Sequence, residues 1–215
     1  MENCMNGKII EALNWRYAVQ KFDTTKKVDQ KDLDTILDAG RLAPSAFGIE
    51  PWHFIVIENA ELKQKLHDEA SRQDKVADAP VFVVVAKRTD VRTAIAKERV
   101  ERTAKATKMD ESVFQGLHDM IDGSIKSLDD AALNTWITSQ VYIPLGTMIE
   151  AAAMLGVDAG PMEGMDRAKV DEILGLSEKN LTSAYAIAFG YRGEDPSAER
   201  PKVRRATEDV ITYLK

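Results

Sequence analysis

An α+β sandwich, helices packed on a small sheet, is the fold this chain predicts, and three observations predict it. The runs "HFIVIE" (53–58), "APVFVVVAK" (79–87) and "AYAIAFGY" (184–191) are rich in β-branched or aromatic residues, bounded by breakers, and read as buried strands. Around them the apolar spacing is far more often helical than alternating. No linker, repeat or low-complexity stretch divides the 215 residues, so a single domain, 1–215, with a sizeable core is expected.

The elements follow in chain order. Residues 7–15 place Ile9, Ile10 and Leu13 on one face of a short helix. "VDQKDLDTILDAGRLA" (28–43) repeats the pattern with Val28, Leu33, Ile36 and Leu37, and Asp29 can cap its start. Pro44, Gly48 and Pro51 in "RLAPSAFGIEPWHF" (41–54) supply a turn before the first strand. A turn alone does not call for Ser45, Phe47, Trp52 and His53 within ten residues. Residues 91–108 read as a charged amphipathic helix, and 129–156 as a long Ala-rich one kinked at Pro144. The mixed-charge stretch 91–130 shows no obvious core seam and reads as a helical excursion that covers something. Residues 195–215 read as a C-terminal arm.

Composition excludes several classes. Apolar residues make up 44% and charged residues 30%, as in ordinary globular domains. A net charge of −6 argues against nucleic-acid and membrane-surface partners. The single cysteine, Cys4, rules out an intramolecular disulfide and reads as incidental. No basic segment followed by an apolar stretch opens the sequence and no apolar run reaches membrane-span length, so the cytoplasm is the expected compartment. Dinucleotide, phosphate-loop and nucleophile-elbow motifs are missing. His53, His67 and His118 lack metal-ligand spacing, so no metal site is expected.

Four separated clusters remain. In "RYAVQKF" (16–22), an extended chain would place Arg16, Ala18, Gln20 and Phe22 on one face, with Arg16 and Gln20 about 13 Å apart. Taken alone, this reads as a solvated strand edge. The stretch 41–54 is the second cluster. "GPMEGMD" (160–166) is the third: Gly164 allows a close approach to backbone, and alone the segment reads as an ordinary turn. "RPKVRR" (200–205) packs four basic residues into six, as a solvated tail or an anion site would.

In this order, the four clusters together with "DAPVFVVVA" resemble the nitroreductase family of flavin enzymes, from about Ile9 to about Arg205. The resemblance implies a three-layer sandwich with a central, mostly antiparallel sheet, in an obligate homodimer with a swapped C-terminal arm. It implies FMN held between the subunits, NADH or NADPH as electron donor, and a small-molecule acceptor. Arg16, Lys202 and Arg204 match the family's phosphate ligands, which need cations in fork geometry. Lys75 matches a lysine serving the flavin N1–C2=O edge, where reduction places negative charge. The backbone N–H of Glu163 matches the donor to flavin N5, where hydride arrives. Ser45 matches a hydroxyl near the ribityl or ring, and Arg72 stands where the family often has Asn. Tyr17, Ala18, Gln20, Pro161, Met162 and Gly164 complete the implied cofactor contacts, with Phe47 and Phe114 in the substrate pocket.

Ala18 replaces the usual Ser or Thr, and Gln20 replaces a basic residue, so the string supplies less charge to the flavin. Phe47 stands where many relatives are polar and suggests a more apolar mouth. The resemblance implies hydride transfer from NAD(P)H through FMN to nitroaromatics, quinones or similar electrophiles by ping-pong kinetics. The alternatives are another branch of the family (dehalogenation, enal reduction or flavin breakdown) and a non-catalytic FMN-binding module.

Overall fold

Residues 2–215 are described in this computed structural model, with side-chain surroundings described from Gly7 onward. The Cys4 side chain, read as incidental from the sequence, therefore lies outside the described residues. The helices are α1 (Glu2–Trp15), α2 (Gln30–Arg41), α3 (Ala60–Leu66), α4 (Asp74–Asp78), α5 (Val91–Thr107), α6 (Gln115–Lys126), α7 (Asp130–Met154) and α8 (Arg167–Leu174). The strands are β1 (Trp52–Ile57), β2 (Val81–Arg88), β3 (Asp158–Met162) and β4 (Leu181–Gly190).

The four strands form one antiparallel sheet in the order β1-β2-β4-β3. β2 and β4 occupy its centre and are buried nearly throughout, which accounts for their continuous apolar runs. Alternate residues feed two cores. On one face Val83, Val85, Ile187 and Phe189 pack against α2 and α7 through Leu33, Ile36, Val141 and Met148. On the other, Phe82, Val84, Ala186 and Ala188 meet Leu66, Val76 and Val170 of α3, α4 and α8. Helices on both faces make three layers. Burying each of Leu33 and Ile36 contributes about 1.5–3 kcal/mol, and the Asp29 side chain caps α2 by accepting from Lys31 N–H at 2.8 Å.

Four sequence readings are corrected. β1 is an edge strand rather than a buried one, and His53 and Val56, on opposite faces of it, are both exposed. "GPMEGMD" is not merely a turn, because Gly160, Pro161 and Met162 close strand β3. Pro161 is tolerated there because β3 is an edge strand. Residues 91–130 do have a core seam, formed where Val91, Ile95, Ile121 and Ile125 meet Ile49 and Ile137. The long helix read at 129–156 is the observed α7, with Pro144 inside it. Three residues, not a continuous strand face, define the string 16–22: Val19 and Phe22 are buried, and the chain bends at Gln20 between them.

Candidate functional site

The string 16–22 lies along the free edge of β3. Ala18 bridges Ala159, and Val19 N–H donates to the Ala159 carbonyl at 3.3 Å. Gly160 permits that approach, since a Cβ there would lie 2.7 Å from the Val19 carbonyl oxygen. Arg16, at the end of α1, opens the string beside the C-terminal arm. Arg16, Tyr17 and Ala18 line a hollow of about 460 Å³ together with Ser197, Arg200, Lys202 and Arg204.

Its charges are unbalanced. Lys202 donates its ammonium to the Arg16 carbonyl, and Arg204 donates to the neighbouring Val203 carbonyl at 2.7 Å. Among the described residues, no carboxylate pairs with Arg16, Lys202 or Arg204. Arg16 Nε is buried with no hydrogen-bond partner. Burial, and then the charge of Arg204, lowers the Arg16 guanidinium; burial and both arginines lower the Lys202 ammonium. Gathered cations that repel one another and lack an acid need an anion to balance them.

A further cation with no acid partner among the described residues lies along the same edge. Lys75 is 4% exposed, and its ammonium has only a long contact, 3.4 Å, to the Pro161 carbonyl. Burial lowers its pKa below the ordinary lysine value. It projects from α4 after a π-helical turn (67–71) that ends at Arg72 in the left-handed region, φ 55°. Arg72 is exposed, and it is Gln73 that reaches across the edge, donating to the Gly164 carbonyl at 2.7 Å. Beyond Met162, which is buried, the chain emerges so that Glu163 and Gly164 are exposed. The Glu163 carboxylate is held from two sides, by the Tyr142 hydroxyl and the Arg167 guanidinium, each at 3.2 Å.

Ser45 and Phe47 belong to a different corner. Ser45 Oγ accepts from Glu50 N–H at 2.8 Å, and Ala46 N–H donates to Gln140 Oε1 at 2.8 Å. Phe47 and Glu50 have φ of 55° and 47°, a conformation costing about 1–2 kcal/mol per non-glycine residue. α5 fastens this turn: Arg99 donates to the Phe47 carbonyl at 3.0 Å, and Arg102 pairs with Glu50 at 2.7 Å. The Phe47 ring packs toward Trp136, centroids 6.5 Å apart, within the excursion's core. Phe114 is half-buried where the short turn 111–114 leads into α6.

The chain thus brings Arg16, Tyr17, Ala18, Lys202 and Arg204 together, and links Lys75 to Pro161. It sets Ser45 and Phe47 against α5 and α7 instead. Gln20 is exposed and folds its amide back to the Ala18 carbonyl at 2.8 Å. Sequence reasoning missed Gln73, Tyr142, Arg99 and Asp195. Only Asp195 carried a signal, since "DPS" is a helix-cap pattern. Among the described residues no His, Cys, Asp or Glu cluster suits a metal.

A model of the nitroreductase family matches residues 13–191, most of the chain and all four strands. The chain belongs to the nitroreductase family. A Staphylococcus epidermidis relative bearing the provisional name NAD(P)H nitroreductase is 36% identical over 221 residues, covering 99% of each chain. A Bacillus subtilis relative of the same provisional name is also 36% identical, covering 98% of this chain and 99% of its own. Among solved structures, an Exiguobacterium sibiricum protein provisionally called a nitroreductase, in complex with FMN, superposes with a TM-score of 0.82. It is 21% identical and covers 96% of this chain and 97% of its own. The nitroreductase fold expected from the sequence is thus the observed one.

Proposed function

We propose that this chain is an FMN-dependent NAD(P)H oxidoreductase that passes hydride to nitroaromatics, quinones or similar flat electrophiles by a ping-pong route. The observation that carries this reading is the cationic edge, where the buried Arg16 Nε, Lys202 and Arg204 pair with no carboxylate among the described residues. An FMN phosphate is a dianion of the charge they need. Arg16, Lys202 and Arg204 would hold it, and Lys75 would offer its donor to the ring edge that gains charge on reduction. The Glu163 backbone N–H would orient the ring nitrogen that takes hydride. FMN, when bound, supplies a two-electron hydride acceptor and donor. Sequence relatives named for NAD(P)H and a structural neighbour solved with FMN support the same assignment.

The protein works, on this reading, as a homodimer with an exchanged C-terminal arm. Support comes from apolar side chains a lone chain leaves exposed: Ile9, Ile10 and Leu13 on α1, Tyr142 and Ile143 on α7, and Val203, Tyr213 and Leu214 on the arm. The Ser45–Glu50 turn, separate from the cationic edge within one chain, would wall the partner's pocket, with Phe47 and Phe114 at its mouth. Residues 91–130 would then lie beside the active site.

The test is the purified protein itself. A yellow dimer with about one FMN per chain, oxidising NAD(P)H steadily on addition of a quinone, is the expected result. A colourless monomer that FMN cannot reconstitute overturns the reading. Tight FMN without turnover would mean a binding module, and a panel of nitroaromatics, quinones, enals and aryl halides assigns the branch.

A further inference from the structure

One buried acid beside the cationic hollow has no role in the chemistry above. Asp195 is 8% exposed and accepts four hydrogen bonds. Its Oδ2 takes Gln20 N–H at 2.8 Å, Tyr17 O–H at 3.2 Å and Lys21 N–H at 3.3 Å; its Oδ1 takes Ser197 N–H at 2.9 Å. One carboxylate thereby ties two segments 174 to 178 residues apart in the chain. Arg16 immediately precedes the first segment, and Lys202 follows the second.

The joint is braced from below. Arg192 grips Asp158 with three side-chain contacts of 2.5–3.0 Å, and its guanidinium lies 4.3 Å from the Trp15 ring centroid and 4.6 Å from that of Tyr17. Burial alone would raise the Asp195 carboxyl. The N–H groups of Gln20, Ser197 and Lys21 outweigh burial and hold it down at about 2, so the clasp is ionised at any working pH.

We propose that Asp195 is the positioning residue of the hollow: by clasping the string at Tyr17, Gln20 and Lys21 to the head of the arm, it sets the spacing of Arg16 and Lys202 that an FMN phosphate requires. The need for such a clasp follows from the charges. Arg16 and Lys202 repel each other, and the direct tie between them is the Lys202 bond to the Arg16 carbonyl. A free arm would move its cation into water, and the phosphate would lose one of its ligands.

The inference rests on the FMN reading and makes a prediction of opposite sign to simple electrostatics. Asp195 is an anion near a phosphate site, so as a charge alone its removal would tighten FMN. As a clasp, its removal weakens FMN. Asn at this position retains one carbonyl oxygen and turns an N–H₂ toward N–H or O–H donors, which breaks at least one arm of the clasp.

Apo-protein would be titrated with FMN and, in parallel, with riboflavin, which lacks the phosphate. For Asp195→Asn the expected result is an FMN Kd raised about tenfold or more, with the riboflavin Kd changed less than about twofold. Tyr17→Phe, which removes one of the four donors and leaves the acid, should give a smaller loss in the same FMN-selective sense. It decides the matter if Asp195→Asn does not fold. Unchanged or tightened FMN binding, or equal losses for both flavins, overturns the proposal. Wild-type apo-protein that binds neither flavin overturns the FMN reading itself, and the clasp with it.

Discussion

The cationic hollow and the Ser45–Glu50 turn are built in opposite ways. At the hollow the side chains are short of partners among the described residues: Arg16 Nε has none, and Lys202 and Arg204 bond there to backbone carbonyls. At the turn nearly everything is satisfied. The strained Phe47 backbone is held by Arg99, Ala46 N–H by Gln140, and Glu50 by both Ser45 and Arg102. The first region stores unmet polarity, which a ligand can discharge. The second stores backbone strain behind a full set of bonds, which suits a wall that must keep its shape. On the proposed reading, the first half should respond to the cofactor and the second to the substrate.

Arg16→Ala tests the first half and should have the largest effect. Losing a charge-assisted bond at a partly buried site costs about 1.5–3 kcal/mol, so FMN affinity should fall roughly ten- to a hundredfold while riboflavin binding holds. Equal loss of both flavins would place Arg16 in folding rather than phosphate binding.

Arg99→Met addresses the wall. It keeps the apolar stem and removes the bond to the Phe47 carbonyl, which should cost about 1 kcal/mol of unfolding free energy. The acceptor KM should rise severalfold with FMN affinity nearly intact. A loss of FMN as large as that of Arg16→Ala would erase the distinction between the two regions.

Alkaline titration sharpens the electrostatic side. Burial and the charges of Arg16 and Arg204 lower the Lys202 pKa below 10.5, and a bound phosphate favours its protonated form. FMN affinity should therefore hold below that lowered pKa and fall as pH rises through it, in a window starting below 10.5. Lys202→Arg, which does not titrate there, should flatten the fall. An identical profile in the variant would assign the loss to another group. Fluorescence titration across the range reads it directly.

The smallest effect is expected at Gln20. Its amide folds onto the Ala18 carbonyl and its side chain is exposed, so a lysine there gains only a screened interaction with the flavin. Gln20→Lys should still raise the two-electron potential of bound FMN, and a shift of roughly 30 mV corresponds to about 1.4 kcal/mol. An unchanged or lowered potential with FMN fully bound would mean that residue 20 does not face the ring.

Much of this was legible in the residues. The central strands were plain because both faces of β2 and β4 are buried, so nearly every position is apolar. Asp29 and the α2 stripe were plain because capping and helical spacing are local. β3 was hidden: an edge strand of five residues carrying Gly160 and Pro161 has a turn's composition, and only the string 16–22 alongside it makes that composition work. The seam of the excursion was hidden because part of it, Ile49 and Ile137, lies outside residues 91–130. The family motifs marked Arg16, Lys75 and Lys202 as a set, but not that Arg16 and Lys202 gather with no carboxylate among the described residues.

By itself, the sequence determined the central strands and the helices at 7–15, 28–43, 91–108 and 129–156, and where the basic residues cluster. Those properties depend on spacing within one segment, where side chains three or four apart share a helix face and neighbours alternate along a strand. Tertiary structure alone decided that Asp195 reaches Gln20 and that Lys202 reaches Arg16. It alone also decided that Gln73, rather than Arg72, crosses to Gly164. These contacts join residues 91 to 186 positions apart, and no local preference encodes them. They exist because two packed cores bring the edge of β3, the end of α1 and the returning C-terminal arm to one place.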